Sequence, residues 1–197
     1  MVSAFDIELG LVLFQKATST KGSELVTVQA VLNMLDVRDA ILTFDAQHCN
    51  KEILQQVERK GGDHIVQVKA NQPKLKQVIE GSFKPHWDNG TESIAQYEEK
   101  NSGHGRKERR ALFQMPPKLL PKELALKWPS ANSIIAVERE RSFKGKTRFD
   151  THYFLSSLAV EPELAFKGIC QQWHIENQQH WVLDVTFKED SSRIGDR

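Results

Sequence analysis

Cysteine is scarce in this sequence, which has only Cys49 and Cys170, far apart along the chain. Neither belongs to a CxxC motif or to a paired Cys/His spacing, so a structural zinc site is not indicated. Two widely separated cysteines also argue against a disulfide framework, and they fit a reducing cytoplasm.

Long apolar runs are absent as well. No stretch approaches the roughly 20 apolar residues that a membrane-spanning helix needs. Residues 1–10 lack the basic region and the apolar stretch of a signal peptide. We therefore expect a cytoplasmic protein that has no membrane partner.

The sequence also has no strong excess of charge of one sign, because its formal net charge is +1. Nucleic-acid-binding domains often carry a clear basic excess, so the total charge does not indicate one. It does not exclude one either, since Lys and Arg are concentrated in residues 100–110 and 139–148. Uneven charge of this kind leaves a local binding surface possible.

Residues 2–82 show strands alternating with helices. Two tightly linked strands are predicted at 2–6 and 10–17. Helices are then predicted to begin near Ser23, Asn50 and Pro73, with strands between them at 40–44 and 64–69. This alternation predicts an α/β fold with a mainly parallel sheet, and the two opening strands form an antiparallel pair at one side.

The rest of the chain has a different character. Residues 83–130 are polar and weakly periodic, and they predict an insertion with some strand character near 111–114. Two further strands are predicted at 133–139 and 152–158, and a helical segment at 161–181. We therefore expect three segments, which are an N-terminal part of the core (1–82), an insertion and β segment (83–158) and a C-terminal helical part (159–197).

Asp45 is the acidic residue of most chemical interest. It follows the apolar run of residues 40–44, at the carboxyl end of a predicted buried strand, where ligand sites gather in α/β sheets. A carboxylate at such a position costs desolvation energy unless a partner balances it, and Mg²⁺ prefers oxygen ligands of this kind. Alternatively, Asp45 caps the helix that begins near Asn50.

A second candidate lies in the aromatic run of residues 173–181. If this run is helical, Trp173, Asn177 and Trp181 share one stripe, which places Glu176 near the buried face. Aromatic stripes usually pack in a core. On these residues alone, a packed helix with a surface glutamate is the simpler interpretation.

Several motifs in this chain resemble those of one known family. Residues 43–75 are similar to the bacterial insertion-sequence DDE transposases of the H-repeat-associated family. Further stretches resemble the family patterns K-S-N-E, H-G-R-x-E-x-R, Y-Y-I-S-S and H-W-x-I-E-N-x-L-H-W-x-L-D-V, at residues 21–24, 104–109, 153–157 and 173–185. Because the matches are collinear over nearly the whole chain, the resemblance is specific.

The resemblance implies a ribonuclease-H-like fold with a mixed sheet, flanking helices and a partly β insertion, in a bacterial cytoplasmic protein. Three carboxylates converge in that fold, and Asp45 matches the second Asp and Glu176 the Glu. Asn177 and Trp181 match supporting positions. The implied reaction is DNA cleavage and strand transfer at transposon ends with two bound Mg²⁺ or Mn²⁺ ions.

The resemblance also suggests which residues contact DNA. A family K-x-N-Q pattern at a strand end matches Lys69, Asn71 and Gln72. Lys69 and three arginines are candidates for contacts with DNA phosphates, which position a protein without reading sequence; the arginines are Arg106, Arg109 and Arg110. A solvated surface is the alternative for each basic residue. A second copy or a full-length transposase is the expected protein partner.

The chain departs from the family pattern at both ends. Residues 2–5 match the family's second strand, so we expect the first strand and its catalytic Asp to be missing; Asp6 lies on the wrong strand to replace it. The closing helices are expected to be missing too. Near Glu176, the family's Arg, His and Leu are replaced by Cys170, Gln172 and Gln179. These departures predict a truncated, inactive remnant. The alternatives are a fragment completed by another chain and a non-catalytic DNA-binding or interfering fragment.

Overall fold

A computed structural model describes residues 2–6, 11–16, 24–103 and 106–175. The strands are β1 (Val2–Asp6), β2 (Leu11–Lys16), β3 (Ile41–Phe44), β4 (Asp63–Val68), β5 (Ala95–Gly103), β6 (Arg106–Met115), β7 (Ser133–Phe143) and β8 (Lys146–Ser156). The helices are α1 (Glu24–Met34), α2 (Lys51–Arg59), α3 (Pro73–Asn89), α4 (Lys122–Lys127) and α5 (Pro162–Ile175), with a short 3-10 helix at Ala46–His48.

The strands form two sheets. β1 and β2 pair antiparallel in a two-stranded sheet, as predicted. The other six form a mixed sheet in the order β3-β4-β8-β7-β6-β5, with helices on both faces. This arrangement confirms the α/β class and is consistent with the ribonuclease-H-like fold.

The expectation of a mainly parallel sheet is wrong. Among the described strands, β3 and β4 form the one parallel pair, and the other pairs of the large sheet are antiparallel. The reason is that β5, β6, β7 and β8 follow one another as an antiparallel series, and β8 then joins β4 antiparallel.

Residues 83–130 contain more regular structure than their weak periodicity indicated. α3 continues to Asn89, and β5 and β6 belong to the same sheet as β3. The alternation of apolar and polar residues is weak here because most of β5 is exposed on both faces and the first half of β6 is a run of charged residues that are exposed or half-buried. The division of the chain into three segments stays a prediction.

The two faces of the large sheet pack against different helices. Even-numbered positions of β4, such as Val66 and Val68, face α2 and α3, and Ile65 faces α5. Strand alternation therefore separates two apolar clusters. The larger one joins the first face to the helices α1, α2 and α3, and the smaller one joins the second face to Ala165, Phe166 and Ile169 of α5.

None of the helices in the described part of the chain has the length and apolar character needed to cross a membrane.

His64 is a buried polar residue of β4, on the face of the sheet that packs against α1, α2 and α3. Its side chain is 0% exposed, and neither ring nitrogen has a hydrogen-bond partner among the described residues. Burial lowers the pKa of His64 to about 4, and the nearby Asp63 opposes this only in part. The ring is therefore neutral in the folded protein at pH 7.

Stability should consequently depend on pH through His64. Between an unfolded pKa near 6.5 and the folded value of about 4, the unfolded chain binds more protons than the folded one. The free energy of unfolding therefore falls as the pH falls through this window, by up to about 3 kcal/mol. Urea unfolding from pH 7 to pH 4 measures the slope. His64→Leu should flatten it, and an unchanged slope in that variant would contradict the assignment.

Candidate functional site

Asp45 directly follows β3 at its carboxyl end. Its backbone is extended, with φ −67° and ψ 166°, so the alternation of β3 continues through it. Thr43 faces α5, because a Cβ added at Gly168 would lie 3.6 Å from Thr43 Cγ2 and 3.4 Å from Ile65 Cδ1. Asp45, two residues after Thr43, therefore lies on the α5 side of the sheet. This is the position that the sequence predicts.

Asp45 also caps a helix, but not the one expected. Its carboxylate accepts a hydrogen bond from the Gln47 N–H at the start of the 3-10 helix. Asn50 caps α2 instead, since its Oδ1 accepts from the Glu52 N–H at 2.8 Å. One carboxylate oxygen of the partly exposed Asp45 thus has no hydrogen-bond or ion-pair partner among the described residues.

Two amide side chains hold the turn that carries Asp45. Asn71 Nδ2 donates to the Ala46 carbonyl at 2.5 Å, and Gln72 Nε2 donates to the Cys49 carbonyl at 3.0 Å. Lys127 Nζ donates in turn to Gln72 Oε1 at 3.0 Å. We call this set of contacts the amide latch. It ties the end of β4 to the turn after β3, so both amide groups already have protein partners, and their expected contact with DNA stays a prediction.

Trp173 forms the centre of a second cluster on the same face. The guanidinium groups of Arg139 and Arg110 lie 5.6 and 6.0 Å from its ring centroid, and the His152 ring lies 5.4 Å away in an edge arrangement. Glu108 binds both arginines. Burial opposes ionisation of Glu108, but hydrogen bonds from Arg139 and Arg110 outweigh it and hold its pKa below the usual value.

This Trp173 cluster anchors the last described turn of α5 to β6, β7 and β8. Each cation–π contact is worth about 0.5–1 kcal/mol or more when desolvated. Gln67 extends the cluster towards β4, since its Nε2 lies 3.1 Å from His152 Nδ1. This cluster is not among the sites that the sequence predicts, although Glu108 lies within the matched H-G-R-x-E-x-R motif.

The predicted DNA-contacting cations differ in their surroundings. Arg110 is bound to Glu108, and Arg109 Nη2 pairs with Glu98 Oε2 at 2.6 Å. Lys69 and Arg106 are exposed, and neither has an ion-pair partner in the described part of the chain. The guanidinium of Arg106 instead lies 5.8 Å from the Phe143 ring.

The predicted metal site stays a prediction, because the structure describes only one of its two ligands. Glu176, Asn177 and Trp181 lie outside the described residues. Within residues 2–6, 11–16, 24–103 and 106–175, no group of three His, Cys, Asp or Glu side chains could hold a metal ion. Asp45 fits as a single ligand, because it offers a free carboxylate oxygen, the donor type that Mg²⁺ prefers.

Comparison with known proteins agrees with the family resemblance that the sequence motifs indicate. The family model for the transposase DDE domain matches residues 1–197. The similar proteins include "Putative protein YbfL", 31% identical, and "H repeat-associated putative transposase YhhI", 30% identical, both of Escherichia coli K12 and each aligned over 200 residues. "Putative transposase YncI" of Escherichia coli O157:H7 is 30% identical over 199 residues. The alignments cover 98% of this chain and 52%, 52% and 50% of these relatives, so the chain spans about half their length.

Removing the amide latch should loosen the turn after β3. In the double variant Asn71→Ala/Gln72→Ala, two backbone carbonyls lose their donors, and we expect the free energy of unfolding to fall by about 1–3 kcal/mol. Amide hydrogen exchange at residues 46–50 should accelerate. Gln47→Ala is the control, because its exposed side chain makes no hydrogen bond among the described residues. Equal exchange in the double variant and the control would show that the latch does not hold the turn.

Proposed function

Because this chain belongs to the transposase DDE domain family, we propose that it forms the catalytic core for metal-dependent cleavage and strand transfer of DNA in transposition. The observation that carries the proposal is the position of Asp45, at the carboxyl end of β3 and on the side of the sheet that α5 covers. α5 leads directly into the residues that contain Glu176.

The proposed site uses Asp45 and Glu176 as ligands for Mg²⁺ or Mn²⁺. When bound, a pair of such ions would activate the attacking oxygen and stabilise the leaving oxygen of a phosphodiester. Asp45 would contribute its free carboxylate oxygen, and the amide latch would keep that oxygen at the carboxyl end of β3. Asn177 and Trp181 are proposed to support Glu176 within its helix.

DNA, and transposon ends in particular, is the proposed substrate. Lys69 lies after β4 and is exposed, so it is available for a phosphate. Arg109 and Arg110 would have to exchange a carboxylate partner for a phosphate, which makes them weaker candidates than Lys69 and Arg106. Asn71 and Gln72 would act through the turn that carries Asp45.

A second candidate is a DNA-binding protein that does not cleave, either a remnant or a fragment that interferes with a full-length transposase. The observation that favours it is that Lys69 and Arg106 are exposed and have no ion-pair partner in the described part of the chain, so they are available for DNA phosphates whether or not a metal ion binds. Association with a second copy or with a full-length transposase stays a prediction.

Nicking of supercoiled plasmid DNA in the presence of Mg²⁺ separates these candidates. If the chain cleaves, Asp45→Asn should reduce the rate more than about 100-fold, because even outer-shell partners of a metal contribute 10–100-fold. Asp88→Asn removes an exposed carboxylate on α3 and should leave the rate unchanged. Cleavage that survives Asp45→Asn would refute the proposed site. DNA binding without any cleavage would select the second candidate.

A further inference from the structure

The large sheet extends well beyond the candidate site. β8 pairs with β4 from Ser156 to Tyr153, where Tyr153 is opposite Val68 at the end of β4. Residues 146–152 of β8 therefore continue past β4, together with the paired parts of β5, β6 and β7. At about 3.4 Å per residue, this extension is on the order of 20 Å long. We call residues 99–103, 106–110 and 139–150 the projecting end.

Ion pairs neutralise the part of the projecting end that is closest to the core. There, Arg109 pairs with Glu98 and Glu138, Arg110 and Arg139 pair with Glu108, and Arg141 pairs with Asp150. The outermost cations differ, because they are exposed and have no ion pair within the described residues; they are Arg106, Lys107, Lys144, Lys146 and Arg148. Positive charge is thus concentrated at the tip of a chain whose net charge is only +1.

The register assigns these cations to faces. Arg106, Phe143 and Lys146 are opposite one another across β6, β7 and β8. Arg148 lies two residues along β8 from Lys146, and so on the same face.

Along β6, every second residue after Arg106 lies on the same face of the sheet, and this series includes Arg110 and Leu112. Leu112 belongs to the apolar cluster that packs against α5. Arg106, Lys146 and Arg148 therefore face the same side of the sheet as α5 and Asp45, and Lys107 faces the other side.

We propose that this face of the projecting end binds the phosphate backbone of duplex DNA and holds the duplex along the side of the sheet that carries Asp45. The proposal rests on the proposed function and gives it a DNA-binding surface formed by Arg106, Lys146 and Arg148.

Two geometric features support it. Side chains two residues apart on a strand are separated by about 7 Å, and each DNA strand carries one phosphate per about 3.4 Å of helix axis, so neighbouring cations of the row can reach different phosphates. Phe143, 45% exposed, lies between the guanidinium of Arg106 at 5.8 Å and the ammonium of Lys144 at 5.3 Å from its ring centroid, which orders cations at the tip. Contacts of this kind add affinity without reading sequence.

Two triple variants of the full chain test the surface. The face variant is Arg106→Gln/Lys146→Gln/Arg148→Gln. The control is Lys107→Gln/Lys118→Gln/Lys122→Gln, which removes the same charge at exposed, unpaired lysines that lie on the other face of β6 or before β7. The probe is a fluorescein-labelled 30-base-pair duplex of arbitrary sequence, followed by anisotropy over a series of NaCl concentrations. Circular dichroism and thermal melting check that both variants fold.

We expect the face variant to lose at least about tenfold in affinity at low salt. The slope of log K against log[NaCl] is negative, and it should become shallower by about 0.9 for each phosphate contact removed. The control should retain the affinity and slope of the original chain. Equal losses in both variants, or no loss in the face variant, would overturn the proposal. So would binding to phosphatidylserine vesicles in place of the duplex.

The DNA-binding measurement and the nicking measurement can fail independently, so they test the surface and the proposed function separately. If the face variant loses affinity and no protein nicks plasmid DNA, the binding surface stands and the cleavage activity fails. If the original chain nicks DNA and the face variant binds it normally, the activity stands and the surface fails.

Discussion

The packing of α5 across one face of the mixed sheet determines where the chemistry of this chain can take place. Gly168 lies against Thr43 and Ile65, so the helix crosses the sheet at the parallel pair β3 and β4. Helix and strands then continue towards the same edge, where Asp45 ends β3 and the Trp173 cluster anchors α5. A substitution that displaced this crossing would separate Asp45 from the end of α5, the helix that precedes the proposed ligand Glu176 in the sequence.

Polar contacts between distant segments maintain this edge. The amide latch ties the turn after β3 to the end of β4, and Lys127 links it to α4. On the other side, Glu108 neutralises two arginines beneath Trp173. Because Glu108 and its two arginines are only partly exposed, an unmatched member of this group would carry a desolvation penalty of about 1–3 kcal/mol or more. The same ion pairing leaves only the outer cations of the projecting end free for an external anion.

The position of Asp45 could be predicted from sequence because an apolar run followed by an acidic residue is a local pattern. The first three helices and the pairing of β1 with β2 were predicted for the same reason. β5 and β6 were largely missed, since most of β5 is exposed on both faces and the first half of β6 is a run of charged residues, so both strands show little alternation. The number of parallel strand pairs was overestimated, because the sequence does not show that β8 pairs antiparallel with both β4 and β7.

Contacts that depend on the pairing register of the strands could not be predicted from the sequence. Nothing near Asn71 in the chain indicates that its amide meets the carbonyl of Ala46, because β3 and β4 must first be paired. Likewise, Arg106 and Arg110 are both basic residues of one strand. Only the folded strands show that Arg106 is exposed at the tip, where it has no ion pair among the described residues, and that Arg110 is bound to Glu108 beneath Trp173.

The central claim is that Asp45 and Glu176 hold the same cation, and Mn²⁺ binding followed by electron paramagnetic resonance tests it most directly. Asp45→Asn, Glu176→Gln and the double variant form a mutant cycle with the original chain. Shared ligation predicts that either single variant weakens Mn²⁺ binding nearly as much as the double variant, because residues that act on one ion are not additive. Small and additive losses, or an original chain that binds no Mn²⁺, would contradict the account.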